Sequence, residues 1–254
     1  GTIQPIAEIG KVIKEFRQQR KKPIAESRER EANEKIPFFH SDASQAAGFL
    51  DLKIEKLGVD LLTLNSGKGY GPKGVGCLLV RHGTEILPLA YGGGQEGGLR
   101  SGTENVPGIV GFAKAIEIAE EEKKRGFELI TQLRDYFIKE LQEKIPEVVL
   151  NGHPEKRLPN NINISIPWID GETAVMYLSK KGIYCSTGSA CAALSLEPSH
   201  VIEALGKAEE YTKGSLRFTL GRDTTKANVE YTIKTLKATL DKLNKKSATA
   251  SVAS

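Results

Sequence analysis

Asp42 and Lys68 are the first residues whose types and placing suggest chemistry, because each directly follows an apolar run of strand character. Asp42 comes after IPFFHS, and Lys68, flanked by Gly67 and Gly69, comes after VDLLTLNSG. Open α/β sheets bind ligands at the carboxyl ends of their strands. An aspartate at such a position also serves as a plain helix cap, and a lysine there as a solvated charge. Together they match what a pyridoxal phosphate site requires: an amine to hold the cofactor covalently and a carboxylate to keep its pyridine nitrogen protonated. Gln45, three residues past Asp42, is placed to reach the same ring, and Lys73, in the stiff GPKG turn, is the rival lysine.

Two further residues carry chemistry of other kinds. Cys191 stands among glycine, serine and alanine in CSTGSACAALSLEPSH, a composition that leaves a thiol exposed and reactive. Cys77 alternates within an apolar strand and reads as core packing, whereas Cys185 ends a short strand and fits either role. Arg217 alternates with Leu216 and Phe218 in SLRFTLGR, so it is expected to point from a sheet into a cleft, where a guanidinium clamps a carboxylate. A surface ion pair is the alternative.

The elements that must hold these groups follow from periodicity. Pro5 and the spacing of Ile6, Ile9, Val12, Ile13 and Phe16 predict an amphipathic helix to about residue 20. Residues 21–35 are nearly all polar and are expected to be a surface insertion. Strands are predicted at 36–39, 59–64 and 75–80, with helical turns in QAAGFL and IEKLG, and ILPLAY at 86–91 is a further candidate. The glycine-rich stretch 92–103 reads as a loop, and residues 105–144 as a long helix broken near Gly126 that carries the chain into its next domain. Thereafter EVVLNG, NINISI, IYC and SLRFTL alternate with helices at 171–181, 198–205 and 225–244. The expected division is a first domain over 1–124 that carries Asp42 and Lys68, a small α+β domain with the cysteine loop over 125–245, and a frayed tail over 246–254.

Composition narrows the function. The 254 residues are ordinary in their globular usage, and the net charge of +4 comes from basic and acidic residues that interleave. That pattern gives a nucleic-acid role no support. No apolar run approaches the ~18 residues of a membrane span, so a soluble, cytoplasmic protein without a membrane role is expected. Three cysteines without paired spacing make neither a zinc site nor a disulfide framework.

In GTIQPIAEIGK, FHSDASQAAG, YGPKGVG, GGGQEGGLRSGTENV, LPNNINIS, STGSACAALSLEPSHVIEALG and SLRFTLGR the chain closely resembles the cysteine desulfurases of the NifS and IscS type. These are fold-type I pyridoxal phosphate enzymes of the class V aminotransferase group. The resemblance implies an α/β aminotransferase-like fold with an incomplete large domain. It implies Lys68 as the Schiff-base lysine, Asp42 as the pyridinium partner, Gln45 as ligand of the phenolic oxygen and Arg217 as the substrate carboxylate anchor. It further implies Cys191 as the persulfide-forming nucleophile and Thr103 as a phosphate ligand for the neighbouring subunit of a homodimer. L-Cysteine is then the substrate, and a protein such as an iron-sulfur scaffold the sulfur acceptor.

Two departures from the pattern stand out. Where the group has Ser-x-His-Lys, this chain has Asn65-Ser66-Gly67-Lys68, so Asn65 and Ser66 remain as phosphate donors without the imidazole. Members of the group also run further at the amino terminus, which makes this chain a portion expected not to act alone. Selenocysteine lyase and a non-catalytic scaffold that binds sulfur-transfer partners are the alternative functions.

Overall fold

A computed structural model describes residues 1–21, 37–187 and 199–252. The polar insertion and the Cys191 loop lie outside those residues. The described chain divides into one unit of residues 4–123 and another of residues 1–3 with 124–254.

The first unit begins with α1 (Ile6–Lys21). Its sheet has the order β1 (His40–Asp42), β2 (Leu61–Asn65), β3 (Gly76–Val80), with β1 parallel and β3 antiparallel to β2. β1 starts at His40, and residues 37–39 of the apolar run are not in a strand. Pro37 has no N–H to give a ladder, and the Phe39 carbonyl is taken by the N–H groups of Asp60 and Leu61 ahead of the paired rungs. QAAGFL forms hydrogen-bonded turns and no regular helix, with Gly48 at φ +80°. The short α2 (Ile54–Leu57) ends as expected on a left-handed Gly58. A small core of Ala43, Val59, Leu62, Leu64 and Phe112 closes one face of the sheet.

ILPLAY is not a strand; a single bridge, Ala90 with Arg100, closes the glycine-rich loop that follows. Pro88 interrupts any ladder there. Cys77 is exposed, not core, because it sits on β3, whose side chains are exposed from Gly76 to Leu79.

α3 (Val106–Lys144) is a continuous helix that passes through Gly126. A glycine costs a helix only about 1 kcal/mol relative to alanine, and ion pairs one turn apart, such as Glu140 with Lys144 at 2.6 Å, support the flanks.

In the second unit β4 (Val149–Leu150), β5 (Asn161–Ser165) and β6 (Ser215–Thr219) form an antiparallel sheet in that order. Ile162, Ile164, Leu216 and Phe218 face a core shared with Phe137, whose ring tilts at 55° to that of Phe218 with centroids 5.3 Å apart. α4 (Gly171–Ser179) is capped by Asp170, which accepts from the Thr173 N–H at 2.7 Å. A side chain at Gly214 would collide with the Ile166 carbonyl, so only glycine lets β6 start this close to the end of β5. The IYC segment forms no strand, and Ser186, the residue after it, makes a single bridge with Arg217. α5 (His200–Glu203) and α6 (Glu209–Lys213) are short, and α7 (Lys226–Val252) continues through most of what the sequence suggested as a frayed tail. Residues 1–3 join this unit because the Ile3 N–H donates to the Lys156 carbonyl and the Leu158 N–H to the Gly1 carbonyl, both at 2.8 Å.

Candidate active site

Parallel pairing of β1 and β2 brings their carboxyl ends to one end of the sheet, with Asp42 in register with Thr63. Because side chains alternate, His40 and Asp42 share a face with Thr63 and Asn65, while Leu62 and Leu64 pack into the core on the other. Asp42 is exposed. Its Oδ1 accepts from the Ser44 N–H at 2.9 Å. Hydrogen bonds from the Ser44 hydroxyl and N–H hold the carboxyl below the ordinary carboxylate range, and the His40 charge acts in the same direction against a small effect of burial. Ser44 was missed by sequence reasoning, although Asp-x-Ser after a strand is a recognisable turn signal.

Lys68 closes a turn of 3-10 helix over Ser66–Lys68 that begins directly where β2 ends. The Asn65 side-chain oxygen accepts from the Gly67 N–H at 2.9 Å, which leaves its amide nitrogen available to donate. Ser66 is fully buried. Its carbonyl accepts from both Gly69 and Gly71 at 3.0 Å, and its hydroxyl lies against Gly71, where an added side chain would approach to 2.3 Å. The turn is therefore closed behind Lys68 by a serine that only glycine can face. Lys68, Gln45 and Lys73 are exposed.

Thr103 is exposed in the link between the glycine-rich loop and α3. That loop is closed by Gln95, whose side chain accepts from the Gly102 N–H at 3.2 Å, and by the Ser101 hydroxyl on the Ala90 carbonyl, also at 3.2 Å.

In the other unit, Arg217 is held on both sides. It pairs with Asn163 across β5 and β6, and exchanges backbone hydrogen bonds of 2.7 and 3.1 Å with Ser186. Its Nε is buried without a partner among the described residues. A donor left without an acceptor inside a protein is costly, and a carboxylate is one kind of acceptor that a guanidinium takes. Cys185, next to Ser186, is a free thiol pushed up to about 11 by burial. Cys191 lies outside the described residues.

These groups fit a pyridoxal phosphate cofactor in kind: an ionised, exposed carboxylate, an exposed lysine on the adjoining strand end and an amide free to donate. Comparison with known proteins agrees with the fit. The family described as aminotransferase class-V matches residues 22–232. The chain belongs to that family.

Among curated class-V relatives, a "Cysteine desulfurase IscS" of Dictyoglomus turgidum is 46% identical over 96% of this chain and 57% of its own length. Another of the same name, from Methanosarcina thermophila, is 44% identical over 96% of this chain and 55% of its own. A solved "NifS-like protein" superposes with a TM-score of 0.80 at 35% identity, over 95% of this chain and 58% of that one. The chain thus spans a little over half the length of the relatives it matches. It has the fold-type I architecture of those NifS-like neighbours. Among the described residues no helix is long and apolar enough to cross a membrane.

Proposed function

We propose that this class-V chain is part of a pyridoxal phosphate-dependent cysteine desulfurase, which converts L-cysteine to L-alanine and leaves the sulfur as a persulfide on Cys191. The observation that carries the reading is the parallel register of β1 and β2, which delivers Asp42 and the Lys68 turn to one end of one sheet. The names of the curated relatives supply the substrate.

The cofactor, when bound, supplies an electron sink for the substrate's Cα. Lys68 would hold it covalently and, with its amine free, would move the Cα proton. Asp42, kept ionised by Ser44, would hold the proton at the ring nitrogen, and Gln45 would donate to the phenolic oxygen. Asn65 and the Ser66 turn would hold the phosphate, with Thr103 contributed from a neighbouring copy. Arg217 clamps the substrate carboxylate through the donor it now leaves unpaired. The Cys191 thiolate attacks the substrate sulfur, so the C–S bond breaks, an S–S bond forms and Cα–Cβ is released as alanine after protonation. The persulfide sulfur passes to a protein acceptor, such as an iron-sulfur scaffold, in the cytoplasm. A second copy of the chain is the partner expected on the side of Leu87, Leu89 and Tyr91, which are 79–99% exposed.

The test is borohydride reduction of the chain incubated with pyridoxal phosphate, followed by peptide mapping. A pyridoxyl group on Lys68 is expected, together with a yellow protein before reduction. A label on Lys73 would overturn the assignment of the lysine, and a colourless, unlabelled protein would support a scaffold without catalysis.

A further inference from the structure

On the open face of β1 and β2 one side-chain bond has no part in the chemistry above. His40 Nε2 lies 2.8 Å from Thr63 Oγ1. Thr63 is the register partner of Asp42, and His40 precedes Asp42 by two residues on the same face. We propose that His40 and Thr63 are positioning residues for Asp42, a brace across the two strands that fixes the carboxylate in register at the end of the sheet. The inference rests on the cofactor reading and extends it to residues which that reading leaves idle.

The need for a brace comes from β1 itself. It has three residues and pairs in parallel with β2. None of its side chains, His40, Ser41 or Asp42, is a large apolar group whose burial would enforce the register. A slip of one residue turns every side chain to the opposite face, and here it would point Asp42 into the core side of the sheet. A bond from His40 to the residue opposite Asp42 opposes that slip at the place where it matters. The same geometry keeps the imidazole near the carboxylate, and after the Ser44 hydrogen bonds the His40 charge is what favours the ionised form.

The experiment compares Thr63→Val, His40→Phe, the double variant and Thr63→Ser. Two quantities are read: the titration midpoint of the Asp42 carboxyl by carbon-13 NMR without cofactor, and the affinity for pyridoxal phosphate by visible absorbance. Thr63→Val and His40→Phe should each move the Asp42 midpoint upward and weaken cofactor binding about tenfold, with no further loss in the double variant. Thr63→Ser, which keeps the hydroxyl, should stay within about twofold of the parent. An unchanged Asp42 midpoint in Thr63→Val overturns the proposal, as do additive losses in the double variant. A lower melting temperature with an unmoved midpoint also overturns it, since that is the mark of a purely structural bond. If the parent takes no pyridoxyl group on Lys68, the cofactor reading fails, while the NMR midpoints still decide the brace.

Discussion

The two three-stranded sheets bury themselves differently. In the β4-β5-β6 sheet the inward side chains Ile162, Ile164, Leu216 and Phe218 are no more than 4% exposed. Helices supply the rest of that core through Phe137, Leu141, Leu178, Ile233 and Leu236. In the β1-β2-β3 sheet only β2 is deeply covered, and β3 leaves Leu78 and Leu79 in the open. The groups proposed for cofactor chemistry stand on the sheet with less apolar cover. Burial cannot hold them, so local polar bonds do: Ser44 for Asp42, Asn65 and Ser66 for the Lys68 turn, and Thr63 with His40 across the strands. Apolar packing holds the strands of the one sheet, and polar bonds hold the strand-end groups of the other.

The largest effect should come from the well-packed unit. Phe137 is 2% exposed and packs on Phe218. Phe137→Ala should cost about 3–5 kcal/mol in a denaturant titration, since the cavity cannot be refilled by rigid strand and helix neighbours. Val12→Ala, at a residue of the other unit that is 65% exposed, should stay within about 0.5 kcal/mol. Equal losses at the two sites would erase the contrast between the units.

A smaller effect concerns a buried carboxylate of the other unit, the one buried carboxylate there among the described residues. Asp60 accepts from both terminal nitrogens of Arg17 and, at 2.8 Å, from the Phe39 N–H, with Arg81 Nε 3.8 Å away. Burial works to raise its pKa, but the Arg17 and Phe39 hydrogen bonds and the two arginine charges outweigh it, so the carboxyl titrates below its ordinary range. A depressed carboxyl contributes stability that is present above the unfolded value and is lost as pH falls through the folded one. Asp60→Asn should therefore destabilise the protein by about 1.5–3 kcal/mol at neutral pH. The difference from the parent should shrink below about pH 4, as the parent's own carboxyl takes up its proton. Urea midpoints at a series of pH values check this, and a gap that stays constant down to pH 2 would mean that Asp60 does not organise α1 and the start of β1.

Sequence alone made part of this legible, for identifiable reasons. Apolar runs ending in Asp42 and in the glycines around Lys68 marked two strand ends, and alternation around Arg217 marked a strand whose arginine faces away from Leu216 and Phe218. Chain-local patterns fix such features. What escaped depends on partners distant in sequence or on tight turns. The start of β1 is decided by where β2 offers a ladder, not by the IPFF run. Cys77 looked like core because β3 is apolar, yet apolar character cannot say whether anything covers a strand. Gly126 looked like a break, but the helix on either side outweighs one glycine. The enclosure of Ser66 depends on Gly71 returning beneath it, a contact that no local periodicity records.

The smallest effect concerns the two thiols to which the proposed reaction gives no part. Cys185 belongs to the well-packed unit, and burial pushes its pKa up to about 11. Cys77 belongs to the open one; its thiol is exposed and is raised by burial and by the nearby Glu96 charge. Alkylation proceeds through the thiolate. With a pKa of about 11, Cys185 at pH 8 is ionised at only about one part in a thousand, roughly two orders of magnitude below an ordinary thiol. Iodoacetamide at pH 8 should therefore label Cys77 ahead of Cys185, and Cys185 labelling should rise about tenfold per pH unit up to pH 10. Such a thiol is a poor persulfide carrier near neutral pH, which is consistent with giving that role to Cys191. Rapid, pH-independent labelling of Cys185 would show that its surroundings are open. The packed unit would then hold a second accessible nucleophile beside Arg217, and the division of labour between the two units would need to be redrawn.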